Sequence, residues 1–389
     1  MKITQRIWTS SGEWTPTPPP AQAEAAHLVL LFGATSSWKE TAVLAQIRAA
    51  YPGATLLGCS TAGEIHGTNV SDESLVVTSV TFDHSQRRGA QVSLQQAGSS
   101  HAAGEQLGRE LPPTIPGLEP GTIDPLVHVF VLSDGLKVNG SDLVRGLTGA
   151  LPAGVTVTGG LAGDGATFNQ TVVHWEGVTE SNMVAVVGLY GRRLRIGCGS
   201  LGGWDSFGPE RLITRSKGNV LYELDGQSAL GLYKKYLGAH AQELPASGLL
   251  YPLSLRGEPG GQPVVRTILA VDEAAQSLTF AGDVPEGSYA RLMKANFDRL
   301  IDGATGAAST GQTAMGSVPT ELAILISCVG RKLVLKQRVE EEVEGVREVL
   351  GAGAVLTGFY SYGEISPFTP GAKCELHNQT MTITTLAES

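Results

Sequence analysis

Two short segments carry hydroxyls and a carboxylate at matched spacing, and a third carries a carboxylate alone. Gly58-Cys59-Ser60-Thr61-Ala62-Gly63-Glu64-Ile65 and Gly358-Phe359-Tyr360-Ser361-Tyr362-Gly363-Glu364-Ile365 share a G-x-x-x-x-G-E-I frame, with matched residues 300 apart. Gly159-Gly160-Leu161-Ala162-Gly163-Asp164 is one residue shorter and has Asp164 in the place of Glu. Ser60, Thr61, Tyr360, Ser361 and Tyr362 offer hydroxyls, and Glu64, Glu364 and Asp164 offer carboxylates for an ammonium group. Glycines at 58, 63, 159, 160 and 163 would leave backbone N–H groups accessible to an anionic end. That pairing suits a zwitterion such as an amino acid. The competing expectation is structural: Glu64 and Glu364 cap turns or pair with basic neighbours such as Arg331.

Other chemistries fit less well. Gly58-Cys59-Ser60-Thr61-Ala62 nearly spells the G-x-S-x-G nucleophile elbow of an esterase-like hydrolase, but Ala62 replaces the last glycine. Tyr360 matches Ser60 in the other copy, and no His stands where the sequence identifies it as a base. Cys374-x-x-His377 is half of a metal site without a second half, so no metal ligands are assigned. His377 and Asn378, at a strand start, read as turn residues or outer hydrogen-bond partners of the site. Gly163-x-Gly165 lacks the third glycine of a dinucleotide fingerprint, and no G-x-x-x-x-G-K-[ST] occurs.

The elements that must position these groups form a repeat. Leu28–Phe32, Leu126–Leu132 and Leu322–Ile326 are continuous apolar runs, as expected of buried parallel strands. They end in Gly33-Ala34-Thr35-Ser36-Ser37, Ser133-Asp134-Gly135 and Ser327-Cys328-Val329-Gly330. A helix follows each: around Val43, Leu44, Ile47 and Tyr51; around Leu143, Val144, Leu147 and Leu151, with Asn139 or Ser141 as N-cap; and around Leu335, Val339, Val343, Val346 and Leu350. A second short run then leads into the chemistry-bearing segment. Strand–helix–strand units pair in parallel, and the alternating runs after them (Leu75–Phe82, Thr171–Trp175 with Met183–Tyr190, Gln379–Leu386) should extend the same sheets antiparallel. Ligands of parallel sheets sit beyond the strands' carboxyl ends, where Ser133, Asp134 and Cys328 also fall. Cys328 is either a small packing residue or a pocket thiol.

Between the second and third copies the pattern changes. Asp225 is expected to cap a helix over Gln227–Leu237, and Ser288–Ile301 reads as a second helix with Tyr289, Leu292, Met293, Phe297 and Leu300 inward. Strand-like alternation runs from Ala246 to Ala281 around the turn signal Glu258-Pro259-Gly260-Gly261. The Gly/Ser-rich stretch 197–218 is the expected boundary. The reading is therefore mixed α/β: a lead-in over 1–26, extended through Pro16–Pro20, and two domains over 27–215 and 216–389, with mixed sheets built from crossover units and antiparallel strands.

Composition bounds the rest. The 389 residues include 50 glycines and 65 charged side chains, with a formal net charge of -9. That charge argues against a broad grip on nucleic acid or an anionic membrane. The densest basic run, Arg192-Arg193-Leu194-Arg195, reads as an exposed strand edge. No apolar run reaches a membrane span and no signal-peptide core is present. Four cysteines without C-x-x-C pairing favour reduced thiols in the cytoplasm.

Leu57–Ile65, Gly358–Ile365, His377-Asn378-Gln379-Thr380 and the stretch Lys217–Ala229 together resemble the FIST (F-box and intracellular signal transduction) sensory family, over about Leu28 to Thr385. The resemblance implies a FIST N and a FIST C domain and a non-enzymatic ligand sensor, with amino acids among proposed ligands. It also implies a haem-binding, nitric-oxide-sensing alternative, for which His240 is a candidate axial ligand, and output to a histidine kinase, cyclic-di-nucleotide enzyme or chemoreceptor in trans. Oligomeric state is not implied.

Overall fold

The structure is a computed structural model of the chain and describes residues 1–20, 25–257, 263–369 and 371–389. The turn signal at Glu258-Pro259-Gly260-Gly261 lies outside the described residues.

The three apolar runs are first strands: Leu28–Gly33, Ile123–Ser133 and Leu322–Cys328. Each crosses over through a helix to a parallel second strand, Thr55–Ser60, Thr156–Leu161 or Val355–Ser361. A two-stranded hairpin follows, and then a return strand (Ser74–Thr81, Met183–Tyr190 or Met381–Glu388) lies antiparallel against the copy's own first strand. An outer strand from earlier in the chain closes each sheet: Lys2–Thr9, Gln86–Ser93 or Leu194–Leu201. Residues 1–26 thus contribute sheet as well as lead-in.

The hairpins do not stay with their own copies. Glu64–His66 pairs with the third copy's second strand, Gly363–Pro367 with the second copy's, and Val173–Trp175 with the first copy's. The expectation that Thr171–Trp175 extends its own sheet is corrected: its partner is Leu57–Cys59. The exchange is cyclic, so all three sheets have one order of hairpin, second, first, return and outer strand. Matched backbone bonds close the ring: Ala62 N to Tyr360 O (2.8 Å), Gly163 N to Ser60 O (2.9 Å) and Tyr362 N to Leu161 O (3.2 Å). The body therefore has pseudo-threefold symmetry, and both sides of residue 215 supply strands to the same sheets.

This closure explains the apolar runs. Leu28, Leu30, Phe32, Phe130, Leu132, Ile324 and Ile326 face a shared interior between the sheets, while neighbours such as Val29, Val129 and Leu325 face outward-packed elements. Buried on both faces, the strands have no polar alternation. The matched glycines are required by close contact: a methyl group at Gly58, Gly159 or Gly358 would lie 2.3, 1.9 or 1.8 Å from the carbonyl oxygen of Leu31, Val131 or Leu325.

Asn139 caps the second crossover helix, Gly140–Ala150, by accepting from Asp142 N. The third crossover is not one helix: Val329–Leu335 ends at Lys336, whose φ is +51°, and Val339–Leu350 follows. Residues 205–294 form most of a lobe with a nine-stranded antiparallel sheet and its own core around Leu221, Tyr233 and Phe280. There, Ser228 rather than Asp225 caps the helix, which spans Ala229–Leu237; Ser228 Oγ accepts from Gly231 N. Asp225 sits at φ +51° in a hairpin turn and accepts from Leu212 N and Arg211. Ser288–Ile301 is also corrected. Tyr289–Lys294 is a strand whose alternation buries Ala290 and Leu292, and the helix is Phe297–Met315, capped by Asn296. The glycine-rich stretch is partly strand: a methyl at Gly197 or Gly199 would lie 2.1 or 2.2 Å from the Gly311 or Ala307 carbonyl of that helix. Gly197 and Gly199 thus permit close helix–strand packing, while Gly208 and Gly218 sit in open space at φ +73° and +58°. Among the described residues no helix is long and apolar enough to cross a membrane.

Candidate functional site

The G-E-I frame folds the same way twice. Glu64 follows a sharp turn and is buried; one carboxylate oxygen accepts from Thr61 Oγ1, and the other from Ser74 N (3.1 Å) and Ser74 Oγ (2.7 Å). Glu364 accepts from Ser361 Oγ (2.6 Å), Thr380 N (3.2 Å) and Thr380 Oγ1 (3.0 Å). Each glutamate thus clasps the start of its copy's return strand. Burial pushes the Glu64 carboxyl up to about 7 and the Glu364 carboxyl up to about 8, against the opposing pull of these hydrogen bonds.

The middle copy moves the clasp. Asp134 accepts from Leu136 N, Lys137 N and Thr171 Oγ1 on one oxygen and holds Asn182 N, at the start of the return strand, on the other. Asp164, although aligned with the glutamates, wraps its own loop by accepting from Phe168, Asn169 and Gln170 N and from the Tyr362 hydroxyl. Phe168 stacks on Tyr362 with centroids 4.6 Å apart.

At the first copy's strand ends the surface opens into a cleft of ≈ 450 Å³. Its walls are the loop after the first strand (Thr35, Ser36, Lys39), the segment Thr61–Glu64, the turn at Asp72 and Glu73, and the middle copy's loop from Asp164 to Gln170. Thr35 Oγ1 is buried there with no hydrogen-bond partner among the described residues. Lys332 closes one side, donating to Ala62 O (2.9 Å) and pairing with Asp72. Its ammonium group lies over the Tyr360 ring.

Of the sequence-derived candidates, Thr61, Gly63, Glu64 and Asp164 line this cleft. Gly58, Cys59, Ser60, Gly159 and Gly160 lie inside paired strands, and Ser60 Oγ accepts from Val172 N (3.0 Å). Ser133 is fully buried with its hydroxyl unpartnered among the described residues. Cys328 is enclosed, and burial raises its thiol pKa. Tyr360 donates to Glu342, which also takes the buried Arg331; Arg331 pairs there and not with Glu364. Tyr362 and Ser361 serve Asp164 and Glu364.

His377 bonds to Ser366 O, while Asn378 donates to Tyr362 O and accepts from Thr267 N of the lobe. Gln379 donates to Leu249 O and Thr267 Oγ1, also in the lobe. The His377-Asn378-Gln379-Thr380 run is therefore the joint between body and lobe. Sequence reasoning missed the cleft's Thr35, Ser36, Lys39, Asp72 and Glu73. The only signal was the small-residue loop at 33–37, because the hairpin exchange that brings the rest together leaves no mark in local pattern.

The cleft's lining includes no imidazole, thiol or phenol to ligate haem iron. His240 is exposed, facing Glu243 and the Tyr251 ring. These residues do not fit haem. Among the described residues, no three His, Cys, Asp or Glu side chains converge as a metal site.

The sequence matches the family model of the FIST N domain over residues 27–227 and that of the FIST C domain over residues 229–367. A search of curated proteins returns no match. FIST domains are generally non-enzymatic. With both models matched in order along most of its length, the chain belongs to the FIST family of sensory domains in signal transduction.

Proposed function

We propose that the cleft at the first copy's strand ends recognises an amino acid or similar small polar metabolite, and that the chain signals its presence to a partner protein. The carrying observation is the Thr35 hydroxyl, buried and unpartnered among the described residues, beside a cleft at the carboxyl ends of parallel strands that Lys39, Asp72 and Glu73 also line. Lys39 supplies a cation for a carboxylate, and Asp72 and Glu73 supply acceptors for an ammonium group. All these residues lie within 27–215, which we assign as the sensing half. Two walls come from different copies, so a ligand bridging them favours one arrangement of the ring over another. The Asn378–Gln379 joint would carry that bias to the lobe, for reading by a histidine kinase, cyclic-di-nucleotide enzyme or chemoreceptor in the cytoplasm.

A thermal-shift screen with the twenty amino acids, small carboxylates and polyamines tests the reading. A ligand at 100 times its Kd adds about 2.7 kcal/mol of stability. Lys39→Ala and Asp72→Ala should abolish the shift while leaving the unliganded melting point in place. No shift with any compound, or a shift indifferent to both substitutions, overturns it.

A further inference from the structure

A second cleft, of ≈ 290 Å³, separates the lobe from the body. Arg266, in the lobe strand Val264–Arg266, reaches across it and is buried. Its Nε donates to Asp283 O (3.1 Å), and its Nη1 to Val265 O (3.3 Å) and to Leu376 O of the body (2.9 Å). Among the described residues Nη2 has only the Ser141 hydroxyl, at 3.5 Å. A guanidinium has five N–H donors, so the Nη2 side is under-used. No carboxylate forms an ion pair with Arg266 among the described residues, whereas Arg145 beside it pairs with Asp142 and Asp283. Lys373, on the body hairpin, lines the same cleft, is exposed and has no ion pair among the described residues. Burial pushes the Arg266 pKa down to about 10, with Glu375 and Asp283 pulling it back from a distance.

A buried cation without a paired anion is costly, and a fold retains it at a place where charge arrives with a ligand. The remaining walls combine an apolar part, with Val144 and Leu376 of the body facing Leu255, Val264 and Pro285 of the lobe, and a polar rim of Ser141, Ser288, Arg145, Asp283 and Glu375. We propose that this cleft is a second binding site, for a small organic acid whose carboxylate or phosphate head pairs with Arg266 and Lys373 while its short apolar part packs between lobe and body. Such a ligand touches both parts at once and holds the lobe in its present position. The site shares no residue with the first copy's cleft and does not depend on it.

The test uses the full chain with isovalerate, phenylacetate, phenyl phosphate and inorganic phosphate, and isovaleramide as the neutral control, read by thermal shift and calorimetry. An organic anion should raise the melting point, and isovaleramide should not. The carboxylate and phosphate arms identify which head is preferred. Arg266→Met should weaken binding about tenfold or more, as expected for loss of a charge-assisted contact. Lys373→Glu, on an exposed residue that does not threaten folding, should weaken it severalfold. Lys39→Ala should leave it unchanged, which separates this site from the first copy's cleft. Absence of any shift, equal binding of acid and amide, or binding unaffected by Lys373→Glu would overturn the proposal.

Discussion

Glu64 and Glu364 make the same three-pronged clasp in the first and third copies, yet one borders an open cleft and the other lies under the lobe. In the first copy, Glu64 lines the cleft and Lys332 approaches from the third copy. In the third, Gln379 and Asn378 run from the clasp into the lobe, and the buried Arg331–Glu342 pair lies beneath. A repeated sequence frame therefore specifies a turn that secures the return strand. What happens beside that turn is decided by the chain that covers it. A binding role belongs to the position left uncovered, not to the motif as such.

The largest break in this comparison should come from the third copy's covered interior. Arg331, itself buried, satisfies the buried Glu342 and the carbonyls of Leu300 and the half-buried Gly202. Arg331→Met strands a buried carboxylate and should cost about 3–5 kcal/mol in urea unfolding. Its chain neighbour Lys332 pairs with the exposed Asp72, so Lys332→Met should cost less than about 1 kcal/mol. Equal losses would show that solvent reaches both pairs alike.

The clasps themselves should differ next. Glu364→Ala leaves Thr380 N and two hydroxyls unsatisfied in a dry interior, each group costing about 1–3 kcal/mol. Glu64→Ala does the same to Thr61 and Ser74, but water can enter from the adjoining cleft and replace the carboxylate. Its loss should be smaller by at least about 1 kcal/mol. A Glu64→Ala variant as unstable as Glu364→Ala would mean that the cleft does not admit water to the clasp.

Protonation sharpens the contrast. Both carboxyls are raised in the folded chain, to about 7 at Glu64 and about 8 at Glu364, while an unfolded glutamate titrates near ~4.3. The folded state keeps protons that the unfolded state releases. Their contribution is complete below the unfolded value and is lost as pH rises through 7 and then 8. Glu64→Gln should halve the slope of the fall between pH ~4.3 and about 7 and leave the Glu364 share running on to about 8. Glu364→Gln should halve the same slope and end the fall at about 7. Denaturant midpoints measured from pH 5 to 9 decide it; two unchanged profiles would place both carboxylates in the charged form throughout.

Much of this architecture was legible in the sequence. The apolar runs at 28–32, 126–132 and 322–326 announced first strands because strands buried on both faces cannot alternate, and the Asn139 cap and the matched glycines marked their turns. Strand pairing over long separations was not legible: nothing local in Glu64–His66 says that its partner is Phe359 or Thr357. The same exchange separates Asp164 from its aligned glutamates, since one missing residue hands the return strand to Asp134. At Ser288–Ile301, apolar residues fitted a helical spacing, but pairing with Leu253–Arg256 and Asp205–Ser206 imposed a strand as far as Lys294.

The smallest effect on stability is the sharpest test of the open copy. Thr35 Oγ1 has no partner among the described residues, so Thr35→Val removes a polar atom that contributes no hydrogen bond to them and keeps the side chain's shape. Burying an unpaired hydroxyl is unfavourable, and replacing it with a methyl should leave stability unchanged or raise it by about 0.5 kcal/mol. If the hydroxyl is there to meet a ligand, the same change should weaken that ligand by about tenfold, a loss of about 1.4 kcal/mol. A structural hydroxyl cannot give that combination of unharmed folding and impaired binding. A hydroxyl that served the fold through a partner would lower the urea midpoint on replacement, and the first copy's cleft would then be as self-satisfied as the third copy's interior.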